Sequence, residues 1–270
     1  MLNWRPGIEA PPMKILVSND DGIFAQGLRA LTYELKQIGQ VVVVAPDREQ
    51  AATGTAVSLH QPIRVHQVAP VVPGVESYAV RGTPGDCVIV ALGKLITDRV
   101  DLVICGINHG ANLGDDVPIS GTVGAALQAY LHGLPAIAIS VPGSNSPPLD
   151  TAAKLAVLLA KEIGLGMLPA NVFLNVNLPD LPPAKIGGIS ITHLANRNYT
   201  DVVEERDDGG YPYYWFVRQK KNQATDKQTD TWAVEHGNIS ITPLHANPDK
   251  SSPSLPDNLC SDLFQQLRAS

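Results

Sequence analysis

Short, continuous apolar runs alternate with longer amphipathic or alanine-rich segments along the first two thirds of the chain. The run at 40–45 contains four consecutive valines, a pattern typical of a strand that is buried on both faces. Runs of this kind, which we predict as strands, lie at 15–18, 40–45, 77–80, 100–107, 136–141 and 172–178. The segments between them that we predict as helices are 27–38, 86–96, 121–132 and 149–163. Alternating strands and helices predict an α/β fold, a doubly wound, Rossmann-like parallel sheet whose ligands bind at the carboxyl ends of its strands.

The pattern changes after about residue 183, where strand-like runs are separated by polar, glycine-containing loops. These runs lie at 189–192, 211–217 and 238–242, and the polar stretch at 220–230 has no periodicity, which predicts a mobile loop. We therefore expect four parts along the chain. They are an extension at 1–12, an α/β core at 13–183 that carries any catalytic site, a β-rich arm at 184–245 that serves oligomerisation, and a linker with a terminal helix at 246–270.

Composition narrows the class of protein. The chain has 270 residues, and 20 Lys and Arg against 26 Asp and Glu give a net charge of −6. This acidic balance argues against a nucleic-acid polymer as partner, because a phosphate backbone needs clustered basic residues. Cys87, Cys105 and Cys260 are far apart, so the sequence indicates reduced thiols rather than a disulfide or a zinc site. No apolar run reaches membrane-spanning length and residues 1–12 lack a signal-peptide core, so we expect a cytoplasmic protein without membrane contact.

The first predicted strand ends in Asn19-Asp20-Asp21-Gly22. Two adjacent carboxylates repel each other unless a positive charge lies between them. A hard divalent cation such as Mg²⁺ fits this position, because it takes oxygen ligands and binds through one or two carboxylates. The other interpretation is a polar turn with a helix cap, which Asn and Asp also favour.

Two further polar loops follow predicted strands. Asn108 and His109 follow the strand at 100–107, and the next helix opens with Ser120-Gly121-Thr122. Such a helix start offers free backbone N–H groups and hydroxyls to an anion. If the strands at 15–18 and 100–107 are neighbours at the topological switch point, Asn108 can direct its amide oxygen at a metal held by the two aspartates. With the polar loop at 47–55, three such loops at strand ends favour a functional site over surface turns.

Five segments, in order and at matching spacing, together resemble the SurE family. They are Val17-Ser18-Asn19-Asp20-Asp21-Gly22-Ile23, Ala45-Pro46-Asp47-Arg48-Glu49 with Ala52-Thr53-Gly54, Gly82-Thr83-Pro84-Gly85-Asp86-Cys87, Gly106-Ile107-Asn108-His109-Gly110-Ala111-Asn112-Leu113-Gly114 with Ser120-Gly121-Thr122-Val123, and Ile239-Ser240-Ile241-Thr242-Pro243-Leu244. The resemblance implies a metal-dependent nucleotidase that removes phosphate from nucleoside 5′- and 3′-monophosphates, with short polyphosphate as a further substrate. It also implies a homodimer or homotetramer in which the C-terminal arm is exchanged between subunits.

Position by position, the resemblance assigns Asp20, Asp21 and Asn108 to one divalent metal ion per subunit, Mg²⁺ or Mn²⁺, and to catalysis. The family's further ligand is a serine, and this chain has Ala51 at that position. Because alanine has no side-chain oxygen, water, backbone or phosphate must fill the vacant position. Mg²⁺ ordinarily keeps several waters, so the loss of one neutral ligand is compatible with binding.

The remaining residues are expected to handle the phosphate. Asn19 shapes the turn or contacts the phosphate. His109 protonates the leaving oxygen, since imidazole titrates near neutral pH, or it caps a loop or touches substrate. The predicted phosphate-binding set is Asn19, His109, Asn112, Ser120, Gly121 and Thr122.

Other function classes make different demands on the sequence. A non-catalytic nucleotide- or phosphate-binding module, weakened at Ala51, would keep the Ser120-Gly121-Thr122 start but would not need the paired aspartates. A phosphoacceptor receiver domain would be much shorter, with a single phosphorylated Asp and a downstream Lys. A Rossmann dehydrogenase is disfavoured because no Gly-x-Gly-x-x-Gly follows the first strand.

Overall fold

The computed structural model describes residues 13–145, 147–196, 199–220 and 226–245. The extension predicted at 1–12 and the linker and terminal helix predicted at 246–270 lie outside these residues. None of the helices in the described ranges combines the length with the apolar composition that a membrane span requires.

A large, mostly parallel sheet forms the centre of the fold. Its strand order is β3-β4-β2-β1-β5-β6-β7-β11-β8, and only the β3–β4 and β7–β11 pairs in it are antiparallel. β9 and β10 form a separate antiparallel hairpin. The strands are β1 Met13–Ser18, β2 Gly39–Pro46, β3 Arg64–Gln67, β4 Glu76–Arg81, β5 Leu102–His109, β6 Ala136–Val141, β7 Phe173–Asn177, β8 Gly188–Ile191, β9 Tyr199–Arg206, β10 Tyr213–Lys220 and β11 Asn238–Pro243.

Helices cover both faces of this sheet, which confirms the predicted doubly wound α/β fold. α1 and α4 pack together on one face, and α2 and α3 pack together on the other. The α-helices are α1 Gln26–Leu35, α2 Pro84–Val90, α3 Gly121–Leu131, α4 Leu149–Gly164 and α5 Asp230–Glu235.

The consecutive valines of β2 show why continuous apolar runs are needed. Val41 and Val43 join the core beneath α1 and α4, whereas Val42 and Val44 join the core beneath α2 and α3. Successive strand side chains point to opposite faces, so a strand between two helical layers must be apolar at every position.

α2 begins with a reciprocal cap that fixes the loop after β4. The Thr83 hydroxyl accepts from the Asp86 backbone N–H at 3.1 Å, and the Asp86 carboxylate accepts from the Thr83 N–H at 2.9 Å. Pro84 is the first helical residue, where its missing N–H costs nothing. These residues therefore belong to the framework of the fold.

Among the strands and α-helices of the described residues, the sequence patterns did not predict β3, β9 and α5. Residues 221–225 of the loop predicted at 220–230 lie outside the described residues. The prediction is wrong for its last two residues, because Thr229 is the N-cap of α5 and Asp230 is the first residue of that helix, and both are buried. The Asp230 carboxylate accepts from the backbone N–H groups of Gly114 at 2.8 Å and Ala195 at 2.9 Å. The hydrogen-bond donors that allow Asp230 to be buried are far away in sequence. The local sequence pattern around Asp230 therefore does not distinguish it from a solvated loop residue.

The segment predicted as the arm divides between two sheets. β8 and β11 extend the central sheet, with β11 antiparallel to β7, whereas β9 and β10 form the hairpin outside it. Trp215 and Phe216 of the hairpin expose 54% and 79% of their surface. The part of this segment that stands apart from the core is therefore the hairpin.

Candidate active site

The site is built where β1 and β5 lie side by side at the centre of the sheet. They are parallel neighbours, with Ile15 opposite Leu102 and Ser18 opposite Cys105. The strand order runs outward in opposite directions from this pair, so their carboxyl ends form the topological switch point. The predicted adjacency of the loops after these two strands is confirmed.

Asn19 closes the turn that follows β1. Its side-chain amide donates to the Gly22 carbonyl at 3.0 Å, and its side-chain oxygen accepts from the Gly22 N–H at 3.2 Å. Gly22 has a φ of 102°, and an added Cβ would lie 3.2 Å from the Arg48 backbone, so glycine is required there. Of the two roles open to the fully buried Asn19, its hydrogen bonds match that of shaping the turn.

Asp20 is a buried carboxylate that receives hydrogen bonds from two directions. Its side chain accepts from the Thr122 hydroxyl at the start of α3, and its backbone carbonyl accepts from the Gln50 N–H at 2.7 Å. Burial, with a smaller contribution from the charge of Asp21, raises the pKa of the Asp20 carboxyl to about 6, against the opposing effect of the Thr122 hydrogen bond.

Asp21 is half-buried and faces the end of β5. Its carboxylate accepts from the His109 backbone N–H at 3.2 Å. Burial raises the pKa of Asp21 as well, and the nearby Glu49 adds to the effect, while the His109 N–H opposes it. Within the described ranges, no Lys or Arg forms an ion pair with Asp20 or Asp21. The two adjacent carboxylates thus lie in a partly desolvated site, with neither of them in an ion pair with Lys or Arg among the described residues.

Asn108 is oriented by the loop that follows β5. Its side-chain nitrogen donates to the Gly110 carbonyl at 2.6 Å. Since the amide nitrogen is engaged in this bond, the amide oxygen remains as the group with which Asn108 can accept or coordinate.

The start of α3 approaches Asp20 closely. A Cβ added at Gly121 would lie 2.9 Å from the Asp20 Cβ and 3.0 Å from the Gln50 carbonyl, so a larger residue would displace the carboxylate. The Ser120 hydroxyl caps the helix by accepting from the Val123 N–H at 3.2 Å. Ser120 and Thr122 therefore both use their hydroxyls within the protein, and Gly121 allows the helix N-terminus to meet the carboxylate.

Asn112 lies beneath the site rather than on its surface. Its backbone N–H donates to the Asn177 side chain at 2.8 Å, and its side-chain nitrogen donates to the Ser140 hydroxyl at 2.8 Å. Asn175 and Asn177 both donate to its carbonyl. This buried network ties the loop after β5 to the ends of β6 and β7, which is a positioning arrangement that the sequence pattern does not reveal.

A pocket with a cavity volume of about 420 Å³ opens beside the aspartates. Asp21, Glu49 and His109 line it, together with Ser144 and Leu149. The His109 Nε2 lies 3.0 Å from the Ser144 carbonyl oxygen. Sequence reasoning missed Glu49 and Ser144 as lining residues, although Ser144 follows β6 in the same kind of polar strand-end loop that singled out the others.

The loop after β2 completes the surroundings. Its residue Gln50 bonds to Asp20, and the next residue is Ala51, whose exposed methyl group offers no donor or acceptor. Ala52 has a φ of 55°, in the left-handed region that favours glycine. The Gly54 N–H donates to the Ile119 carbonyl at 2.9 Å, which fixes this loop against the segment before α3.

The donor set fits a hard divalent cation. The oxygen donors at these strand ends are the Asp20 and Asp21 carboxylates and the Asn108 side-chain amide. The described part of the chain contains no cluster of three or more His, Cys, Asp or Glu residues that could hold a metal ion. Oxygen-only donors with open positions for water suit Mg²⁺ and Mn²⁺. Burial is the main cause that raises the pKa of both aspartates, and a bound cation would oppose it by favouring the charged carboxylates.

The comparisons with known proteins agree with this geometry. The family described as "Survival protein SurE" matches residues 15–201. A protein of Dehalococcoides mccartyi named 5′-nucleotidase SurE is 52% identical over 260 residues, which cover 95% of this chain and 98% of that protein. A protein of the same name from Vibrio parahaemolyticus is 43% identical over 242 residues, covering 89% of this chain and 91% of that protein. The crystal structure of the SurE protein from Aquifex aeolicus matches with a TM-score of 0.77 and 33% identity, covering 94% of this chain and 99% of that one. The chain belongs to the SurE family.

Proposed function

We propose that the protein is a metal-dependent phosphomonoesterase that hydrolyses nucleoside 5′-monophosphates to nucleoside and phosphate. Nucleoside 3′-monophosphates and short polyphosphate are included as further substrates, as the family resemblance implies. The relatives named 5′-nucleotidase support this activity. The observation that carries the proposal is the pair of adjacent, partly desolvated carboxylates, Asp20 and Asp21, beside the N-terminus of α3.

Metal dependence accords with membership of the SurE family; the proposal adds one Mg²⁺ or Mn²⁺ per subunit, held by Asp20, Asp21 and Asn108. When bound, such an ion would supply Lewis acidity, which would offset negative charge on the phosphate and make a water more acidic. Ala51 leaves one position without a protein oxygen, which predicts weaker metal binding than the family's serine would give. This departure is the only support in the chain for the alternative of a weakened binding module, and the nucleotidase names of the relatives disfavour that alternative.

The protein groups contribute mainly by positioning. Thr122 holds the Asp20 carboxylate, and Gly121 lets the partial positive charge of the α3 N-terminus act on an anion beside it. Electrostatic positioning of this kind supplies most of the catalysis in phosphoryl transfer.

His109 supplies the proton for the leaving alcohol in this proposal. Its Nε2 faces the Ser144 carbonyl oxygen, and because a carbonyl oxygen only accepts, that nitrogen carries a proton in this arrangement. If the other ring nitrogen is also protonated, a rotation of this imidazolium ring away from Ser144 would present the Nε2 proton to the leaving oxygen of a substrate in the pocket and leave a neutral imidazole.

The assembly and location are also proposed. The β9–β10 hairpin, with its exposed Trp215 and Phe216, supports a homodimer or homotetramer formed through the arm. Cys87 and Cys105 are free and buried, which suits a reducing compartment such as the cytoplasm.

The test is phosphate release from nucleoside 5′- and 3′-monophosphates and tripolyphosphate, measured in EDTA, Mg²⁺ or Mn²⁺. Wild type is compared with Asp20→Asn and with Asp98→Asn, an exposed control whose carboxylate pairs with Lys14 at the amino end of β1, away from the site. We expect metal-restored turnover that falls on the order of 100-fold or more in Asp20→Asn and is unchanged in Asp98→Asn. Absence of turnover by a folded wild type with either metal would instead favour the binding module.

A further inference from the structure

A second pocket, with a cavity volume of about 380 Å³, lies at the β3–β4 side of the sheet. We call it the basic pocket, because three arginines, Arg48, Arg64 and Arg81, are among its lining residues. Its lining includes the uncharged Gln50, Ser58 and Thr83 and no carboxylate. It is separate from the pocket lined by Asp21, Glu49 and His109.

The backbone places two of these arginines directly opposite each other. In the antiparallel pairing of β3 with β4, Arg64 is the partner of Arg81. Like charges at directly opposite positions of a strand pair are destabilising. The fold therefore tolerates a repulsion here that a neutral residue at either position would remove.

No ion pair relieves this repulsion within the described ranges. None of the three arginines there pairs with an Asp or Glu. Asp86 is fully buried behind the pocket wall and accepts from the backbone N–H groups of two lining residues, Ser58 and Thr83. Its carboxylate is therefore held by backbone groups and is not part of the lining.

The remaining groups of the pocket suit a tetrahedral oxyanion. The planar guanidinium fork of arginine matches phosphate through paired hydrogen bonds. The Ser58 hydroxyl accepts from the Gln61 side chain at 3.1 Å and keeps its own proton for donation. A carboxylate-free, concave surface with three guanidinium groups selects a multiply charged anion over a neutral ligand.

The basic pocket shares a loop with the active site. Gln50 lines the pocket and donates its backbone N–H to the Asp20 carbonyl, and the Arg48 backbone lies against Gly22. An anion in this pocket would therefore bind beside the turn that holds the two aspartates, without touching their carboxylates.

We propose that the basic pocket binds a phosphate group distinct from the one that is hydrolysed. That phosphate group is either free inorganic phosphate or the second phosphate of a doubly phosphorylated nucleoside whose other phosphate lies at the α3 N-terminus. Its binding requires neither a metal ion nor turnover, so it stands apart from the proposed nucleotidase activity.

The experiment is isothermal titration calorimetry in EDTA at low ionic strength, because exposed charges are screened by salt. The probes are inorganic phosphate, adenosine 5′-monophosphate and adenosine 3′,5′-bisphosphate. The proteins are wild type, Arg64→Gln/Arg81→Gln, Arg64→Lys/Arg81→Lys, and Arg99→Gln as the control. Arg99 is an exposed arginine beside Asp101, ahead of β5 and outside the basic pocket.

If free phosphate is the ligand, its dissociation constant rises about tenfold or more in the double glutamine variant and less in the double lysine variant. If the phosphate is borne by the nucleoside, the double glutamine variant loses the preference for the bisphosphate over the monophosphate. Both results require Arg99→Gln to behave as wild type. Equal affinities for every probe in all four proteins would overturn the proposal and leave the nucleotidase proposal untouched, since no metal or turnover is involved.

Discussion

Two pairs of like charges lie on the side of the central sheet where its parallel strands have their carboxyl ends, and the two pairs differ in burial. Asp20 and Asp21 follow β1 in a partly desolvated site, and burial raises the pKa of both. Arg64 and Arg81 face each other at the β3–β4 edge with exposed side chains. Solvent and salt screen the exposed pair, whereas desolvation makes the buried pair costly in its charged form. The same repulsion should therefore affect stability strongly at one position and weakly at the other.

The largest stability effect is expected from the buried pair in metal-free protein. Because the folded state raises the pKa of Asp20 from 3.8 to about 6, it holds the proton more tightly than the unfolded state. Stability contributed by this group therefore falls as pH rises between these values and stays low above them. We expect Asp20→Asn in EDTA to raise the free energy of unfolding by up to about 3 kcal/mol at pH 7, and by less at pH 5.

Urea unfolding of both proteins from pH 5 to 8 measures this difference. Asp98→Asn serves as control, since its carboxyl is exposed and paired with Lys14. An Asp20→Asn variant that is less stable than wild type at pH 7 in EDTA would show that the buried pair carries no electrostatic strain.

The close approach of α3 to Asp20 gives the next effect. In Gly121→Ala the new methyl group would meet the Asp20 Cβ at 2.9 Å and the Gln50 carbonyl at 3.0 Å. We expect a loss of about 1–3 kcal/mol in stability, together with lower phosphate-release activity, because the carboxylate must move. Gly93→Ala is the control, because an added Cβ at Gly93 meets no atom within 4 Å. Gly133→Ala is unsuitable, because Gly133 has a positive φ that an alanine would strain. Equal stability and activity of Gly121→Ala and Gly93→Ala would contradict the prediction.

Substitutions at Ala51 test whether a side-chain oxygen at this position strengthens metal binding. Ala51→Ser adds an oxygen at the position that the family resemblance assigns to a serine ligand, and we expect it to tighten Mn²⁺ binding by up to about tenfold, or 1.4 kcal/mol. Ala51→Cys, of similar size but with a softer donor that suits Mg²⁺ and Mn²⁺ less well, is the matched comparison. Dissociation constants from calorimetry with Mn²⁺ decide the question, and identical values for Ala51→Ser and wild type would mean that position 51 does not reach the metal.

The exposed pair should give the smallest effect. Arg64→Gln removes the repulsion with Arg81, and we expect it to raise the free energy of unfolding by about 0.2–1 kcal/mol at low salt. High salt should abolish the gain. Measurement by urea unfolding at both ionic strengths checks this, and a gain as large as that of Asp20→Asn would remove the contrast between buried and exposed pairs.

The sequence predicted the fold where the information is local. The valines of β2 and the turn around Asn19 depend on near neighbours, and the structure has a strand and a turn at those positions. β3 and β9 escaped prediction because their residues are mixed in polarity and their pairing, not their pattern, makes them strands.

For the site, sequence predicted which loops would meet but not what each side chain would do. Asn112 is predicted to bind phosphate, and the structure adds hydrogen bonds to Ser140 and Asn177 that anchor its loop to strands that are remote in sequence. Asp230 was expected in a loop, and two distant backbone N–H groups hold it in the interior. Partners separated by tens of residues leave no periodic signal, so such roles become visible only in three dimensions.

The most direct test of the central claim, that Asp20 and Asp21 form a divalent-metal site, is a count of bound Mn²⁺ by electron paramagnetic resonance. We expect about one Mn²⁺ per chain in wild type, displaced by excess Mg²⁺, and strongly weakened binding in Asp20→Asn but not in Asp98→Asn. Wild type that binds no Mn²⁺, or an Asp20→Asn variant that binds it as tightly as wild type, would contradict the account.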